Sequence, residues 1–91
     1  MEIKILKEEE NTLLIEFVNE SETFLNLLRE ELWNVKGVIE AAYIREHPEL
    51  SNPKLWIKTE NISAREALKN AINNLIERFE KLREGARKII K

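Results

Sequence analysis

Enzymatic chemistry needs titratable or nucleophilic groups that converge, and this sequence carries few kinds of them. His47 is the single histidine; cysteine and aspartate are absent, and all 17 acidic side chains are glutamate. Acid–base work near neutral pH would therefore fall to His47, while the glutamates are scattered or sit on solvated helix faces. His47 stands before Pro48 in "HPELSNP". A lone histidine in a proline-bounded loop is more often a hydrogen-bonding rim residue than a proton carrier. No thiolate is present to hold a metal, nor any His/Cys/Asp group at ligand spacing. A chain with 2 glycines has no glycine-rich phosphate cradle. The sequence predicts no catalytic residue, no metal and no cofactor on this chain.

What remains is contact chemistry. Trp33, Trp56 and Tyr43 are large amphipathic side chains, suited to meeting a protein surface and equally to ordinary packing. The 15 basic and 17 acidic side chains nearly cancel, to a net charge of −2. That balance makes no electrostatic case for nucleic acid as the main partner. The end of the chain is a local exception, with six basic and two acidic side chains between Arg78 and Lys91. Cations in the last turns of a helix account for such a bias.

The elements that would position these residues follow from periodicity. "EIKILK" (2–7) alternates, with Ile3 and Ile5 on one face; "TLLIEFV" (12–18) does the same with Leu13, Ile15 and Phe17. Both read as half-buried strands, joined as a hairpin by a short polar turn. The period then changes. Ser21 is a good N-cap, and Phe24, Leu25, Leu28, Leu32 and Val35 share a helical stripe about 160° wide, with Leu27 at its margin and Trp33 opposite. Gly37 is expected to stop this helix in the left-handed conformation. Residues 38–46 read as a third strand and 54–59 as a fourth, separated by the two prolines of an irregular loop. "SARE" (63–66) is a capping box, and a helix over 63–90 follows.

The predicted fold class is α+β: strand-strand-helix repeated twice, a four-stranded, mainly antiparallel sheet with two helices on one face. A 91-residue chain of this pattern is expected to be one domain over 1–91. There is no signal-like start, no apolar run of about 18 residues and no cysteine, so a cytoplasmic location is expected.

The last helix is too long for its sheet. At about 1.5 Å per residue it spans about 42 Å, against about 20–30 Å for the strands. Its apolar residues Leu68, Ile72, Leu75, Phe79, Leu82, Ala86 and Ile89 nevertheless recur at heptad spacing to the end. A strict 3.5-residue period marks helix-on-helix packing, and an exposed stripe of that length is a liability in a monomer. The over-wide first helix points the same way. A partner interface is therefore expected on Phe24, Leu28, Leu32, Leu75, Phe79, Leu82, Ala86 and Ile89.

The order of elements and several short motifs resemble the archaeal RNA polymerase subunit L family. These are small assembly subunits related to the N-terminal domain of the bacterial alpha subunit. In "ESETFLNLL" the chain keeps Glu20, Thr23, Asn26, Leu27 and Leu28 of the family's helix-start motif. Ala41, Tyr43, His47 and Pro48 match a later strand and His-Pro turn, with Leu50 displaced by Glu49. Glu22 stands where the family usually has histidine, Ser21 where it has an acid and Glu40 where an aromatic is common. Any contact made by the usual histidine is therefore not carried over. The resemblance spans essentially the whole chain. It implies a non-catalytic assembly subunit of DNA-directed RNA polymerase that pairs, helices against helices, with the larger alpha-like D subunit. The pair would then bind the two large catalytic subunits and the small subunits N and P.

Two other classes share the topology. Pterin dehydratase-like enzymes have the same strand-strand-helix repeat, but their activity depends on a histidine cluster that one histidine does not supply. A small homodimeric binding module, for nucleic acid or as a protein adaptor, is the alternative function. Neither an RNP-like aromatic pair nor a glycine-rich clamp supports its nucleic-acid form.

Overall fold

The computed structural model describes residues 2–45 and 52–90, so His47, Pro48 and the rest of their loop lie outside it. The elements are β1 (Glu2–Glu9), β2 (Thr12–Val18), α1 (Glu22–Trp33), β3 (Val38–Ile44), β4 (Lys54–Thr59) and α2 (Ala64–Ile90). The strands form one antiparallel sheet in the order β1-β2-β4-β3. The chain leaves β2 through α1, lays down β3 one strand's width away, and β4 fills the gap. That places β4 between two neighbours, and Leu55 and Ile57 are fully buried there.

Both helices start where capping chemistry expects. The Phe24 amide donates to Ser21 Oγ at 3.1 Å, and the Glu66 amide to Ser63 Oγ at 3.1 Å. Each satisfies one of the amide groups that a helix start leaves without an internal acceptor. The start of α2 is also clamped to the hairpin tip. The Ala64 amide donates to the Glu10 carbonyl at 2.9 Å, and the Asn11 side chain donates to the Ile62 carbonyl at 3.1 Å. Buried Thr59 donates to the same carbonyl at 2.6 Å.

Gly37 does not stop α1. The helix ends at Trp33 with Asn34 as its right-handed C-cap, and Gly37 follows in the turn into β3 with φ +99°. A β-carbon there would lie 2.6 Å from Ile62 Cγ2 and 2.8 Å from the Glu60 carbonyl oxygen. Glycine is needed for conformation and for close approach together.

The core is the inner face of the sheet against α1 and the first half of α2. It contains Leu13, Ile15, Phe17, Leu25, Leu28, Leu32, Val35, Ala41, Leu55 and Ile57, with Ala64, Ala67, Ala71 and Leu75 from α2. Three small alanines let α2 approach closely. Strand β1 departs from expectation. Its pattern is exposed throughout, because it is an edge strand that no helix covers. A register shift between Ile5 and Lys7 makes Leu6 an extra residue, a bulge of the kind that discourages edge-to-edge pairing.

Candidate protein interface

α1 uses its wide apolar stripe internally. Leu28 and Leu32 are completely buried and Phe24 packs against the core half-buried. The helix touches β3 on one side and α2 on the other, so it needs two apolar faces within the protomer. The breadth of that stripe is thus explained without a partner. Leu75, only 6% exposed, belongs to the same core. Leu28, Leu32 and Leu75 are therefore inside the protomer and not on its surface, which corrects their placement at an interface.

Beyond Leu75 the helix leaves the core and its large apolar side chains are largely uncovered. Phe79 is 51% exposed, Leu82 70% and Ile89 85%, while Ala86 is half-buried. The free portion from Ile76 is about 22 Å long at about 1.5 Å per residue. Ile72 and Ile76 are exposed as well, at 36% and 50%. Ile76 falls outside a strict heptad count, and a broader 3.6-residue wheel would have included it. At 100° per residue, Arg65, Ile72, Ile76 and Phe79 fall within about 60° of one another, on the flank beside the buried alanines. Glu80, Arg83, Glu84 and Arg87 border the free portion with charges of both signs.

Glu31 is the group that sequence reading missed. Only 3% exposed, it sits on α1 where the two helices meet. Its Oε2 accepts from the Asn74 side chain at 3.3 Å, and Arg78 lies 3.1 Å from its Oε1. The Arg78 contact lacks hydrogen-bond alignment, so charge attraction carries it. A buried carboxylate is costly unless partnered, and Asn74 and Arg78 lie one turn apart on α2. The cluster therefore favours one direction of α2 across α1, and so one presentation of the free end. A glutamate within a solvated-looking helix gives no signal of this in sequence.

The remaining motif residues divide by role. Glu20 accepts from the Ser21 amide at 3.0 Å beside the α1 cap, and Thr23 is exposed in the first turn. Leu27 is 38% exposed. Asn26 and Tyr43, distant in sequence, line one shallow depression between α1 and β3 with Arg29, Ala41 and Ala42. Trp33 donates its indole N–H to the Ala41 carbonyl at 3.2 Å, tying the end of α1 to β3. Trp56 lies on the outer sheet face with Lys7 Nζ 5.9 Å from its ring centre. Among the described residues no acidic, histidine or cysteine group could hold a metal, and no helix is long and apolar enough to cross a membrane.

Glu8 and Arg65 pair at the other end of α2, through contacts of 2.6 and 2.7 Å. The Arg65 hydrogen bond holds the Glu8 carboxyl below the usual carboxylate range. A lowered native pKa contributes stability above the ordinary range, lost as pH falls through the lowered value. An NMR titration of Glu8 should show a depressed midpoint that moves back up in Arg65→Gln. An unchanged midpoint would remove the pairing from solution.

Residues 4–85 match the family model described as the RNA polymerase Rpb3/Rpb11 dimerisation domain. The chain is similar to DNA-directed RNA polymerase subunit Rpo11 of Methanococcus vannielii, at 39% identity over an alignment that covers 82% of this chain and 87% of that one. Against the Rpo11 of Sulfolobus acidocaldarius it is 47% identical over 73 residues, 79% of this chain and 81% of that one. Among solved structures, the DNA-directed RNA polymerase subunit L of Thermoplasma acidophilum has the same fold. The TM-score is 0.87 at 28% identity, over 96% of this chain and 86% of that one. With a family model that takes in α1, most of α2 and nearly all of the sheet, the chain belongs to the RNA polymerase Rpb3/Rpb11 dimerisation-domain family.

Proposed function

We propose that this chain acts as subunit L of a DNA-directed RNA polymerase: a cytoplasmic, non-catalytic, single-domain assembly subunit that pairs with the larger alpha-like D subunit. The pair then serves as the platform for the two large catalytic subunits and the small subunits N and P. The observation that carries this reading is the apolar free end of α2, with Phe79, Leu82 and Ile89 all more than half exposed. A stripe of that kind, on a helix whose first half is already packed, needs a second body to cover it. Family membership and the likeness to subunit L and Rpo11 proteins support a polymerase partner.

The test is co-assembly. The isolated chain should associate weakly, with an apparent size that depends on concentration. Co-expression with the larger alpha-like subunit should give a stable one-to-one complex with a higher melting temperature, since a partner that binds only the folded form stabilises it by mass action. Light scattering and thermal melts with and without that larger subunit read both effects. A tight, concentration-independent homodimer that ignores the larger subunit would overturn the reading in favour of a homodimeric module.

A further inference from the structure

Three hydrogen-bonding side chains without partners among the described residues meet on one side of the molecule. Asn26 and Arg29 of α1 and Tyr43 of β3 line the shallow depression that Ala41 and Ala42 complete. Tyr43 pairs with buried Leu55, so it lies on the inner face of the sheet, where it packs against the core. Its hydroxyl is shut off from solvent and has no hydrogen-bond partner. Asn26 and Arg29 are half-buried, and among the described residues neither side chain makes a hydrogen bond or an ion pair. A shielded hydroxyl without a partner is costly, and folded proteins leave few of them.

The depression stands apart from the stripe of α2. Glu31 faces α2, through Asn74 and Arg78. Asn26, Arg29 and Trp33 lie about 140–160° around α1 from Glu31 at 3.6 residues per turn, on the flank toward β3. Trp33 stays 49% exposed there even though its indole is tied to the Ala41 carbonyl. Arginine, tryptophan and tyrosine are the side chains most enriched among those that carry binding energy at protein interfaces.

We propose that this depression receives a carboxylate, carried on an acidic side chain of a protein partner. A guanidinium has donors and no acceptor, and the asparagine amide and the phenol hydroxyl can both donate. The group that satisfies all three is an acceptor with two oxygens, and the arginine fork matches a carboxylate edge to edge. Charge decides between anions. Arg29 is the one cation among the described residues that line the depression, and exposed Glu22 and Glu30 stand near it on the same helix. A polyanion such as a nucleic-acid backbone would meet those glutamates with repulsion, whereas a carboxylate brings a single charge. Sites for free small molecules enclose most of their ligand, which so shallow a depression does not do. The carboxylate therefore arrives on a larger body, one that also covers Trp33. The inference stands independently of the pairing through α2, because it uses the other flank of α1.

The test is an NMR titration of the full chain that follows the Arg29 Nε–H and the Asn26 side-chain amide. The probe is N-acetyl-glutamate amide, with N-acetyl-glutamine amide and inorganic phosphate in parallel. Saturable shifts of both signals are expected with the glutamate probe, and at least about tenfold weaker responses to the other two. Exposed Arg83 on α2 serves as the control arginine and should not respond. Arg29→Gln should lose the response while melting within about 2 °C of the parent. Tyr43→Phe gives the sharper reading. Its hydroxyl makes no bond in the free chain, so removing it should not lower the melting temperature, yet should weaken the glutamate probe by about fivefold. Absence of a saturable shift, or an equal shift at Arg83, would overturn the proposal. An equal or stronger response to phosphate would overturn it in favour of a phosphate-bearing ligand, and an equal response to the glutamine probe would remove the carboxylate. A Tyr43→Phe chain that melts markedly lower than the parent would show the hydroxyl bonded in solution and take away the free donor. None of these outcomes bears on the pairing through α2.

Discussion

Phe79→Glu abolishes pairing with the larger alpha-like subunit while leaving the isolated chain folded; that is the largest expected effect on association. Phe79 is half exposed in the protomer, so glutamate there meets water and costs the monomer little. In a closed helix interface the same carboxylate is unpaired and desolvated. That costs several kcal/mol, equivalent to at least about a hundredfold in affinity. Leu82→Glu should behave alike, from a position 70% exposed in the protomer. Lys58→Glu, on the outer sheet face opposite Thr12 and Glu40, should leave pairing nearly intact. Pull-down with a tagged copy of the larger subunit reads all three. Equal retention of the variants would remove α2 from the interface.

Leu28→Ala gives the largest expected effect on the fold itself. Leu28 is completely buried between the sheet and α2, and truncating such a leucine costs about 2–5 kcal/mol. Against a total stability of about 5–15 kcal/mol, the melting temperature should fall by about 10 °C or more. Leu82→Ala, by contrast, should leave the isolated chain's melting temperature within about 2 °C of the parent, as surface truncations usually do. Thermal circular dichroism of the two variants separates residues that hold the protomer together from those reserved for a partner. Similar losses in both would mean that the free end of α2 folds back onto the protomer in solution.

Sequence alone determined the local elements and their faces. Leu13, Ile15 and Phe17 on β2, and Leu55 and Ile57 on β4, are inward because a strand alternates sides at every residue, whatever it packs against. Ser21 and Ser63 begin the helices because capping is a short-range exchange of hydrogen bonds. The excess length of α2 over its strands was likewise visible, being a matter of rise per residue. Tertiary structure decided what each apolar face meets. Periodicity marks a face as apolar but carries no information about its cover, which depends on contacts far apart in the chain. Leu68 and Leu75 turn inward while Ile72 and Ile76 stay open because Ala64, Ala67 and Ala71 set the side on which α2 docks. The wide stripe of α1 is used up by two neighbours, and β1 is left bare, because β4 inserts between β2 and β3 and draws both helices to that side of the sheet. Glu31 became a buried partner of Asn74 and Arg78 only when α1 and α2 were laid together, since its burial is a property of the pair of helices and not of either one.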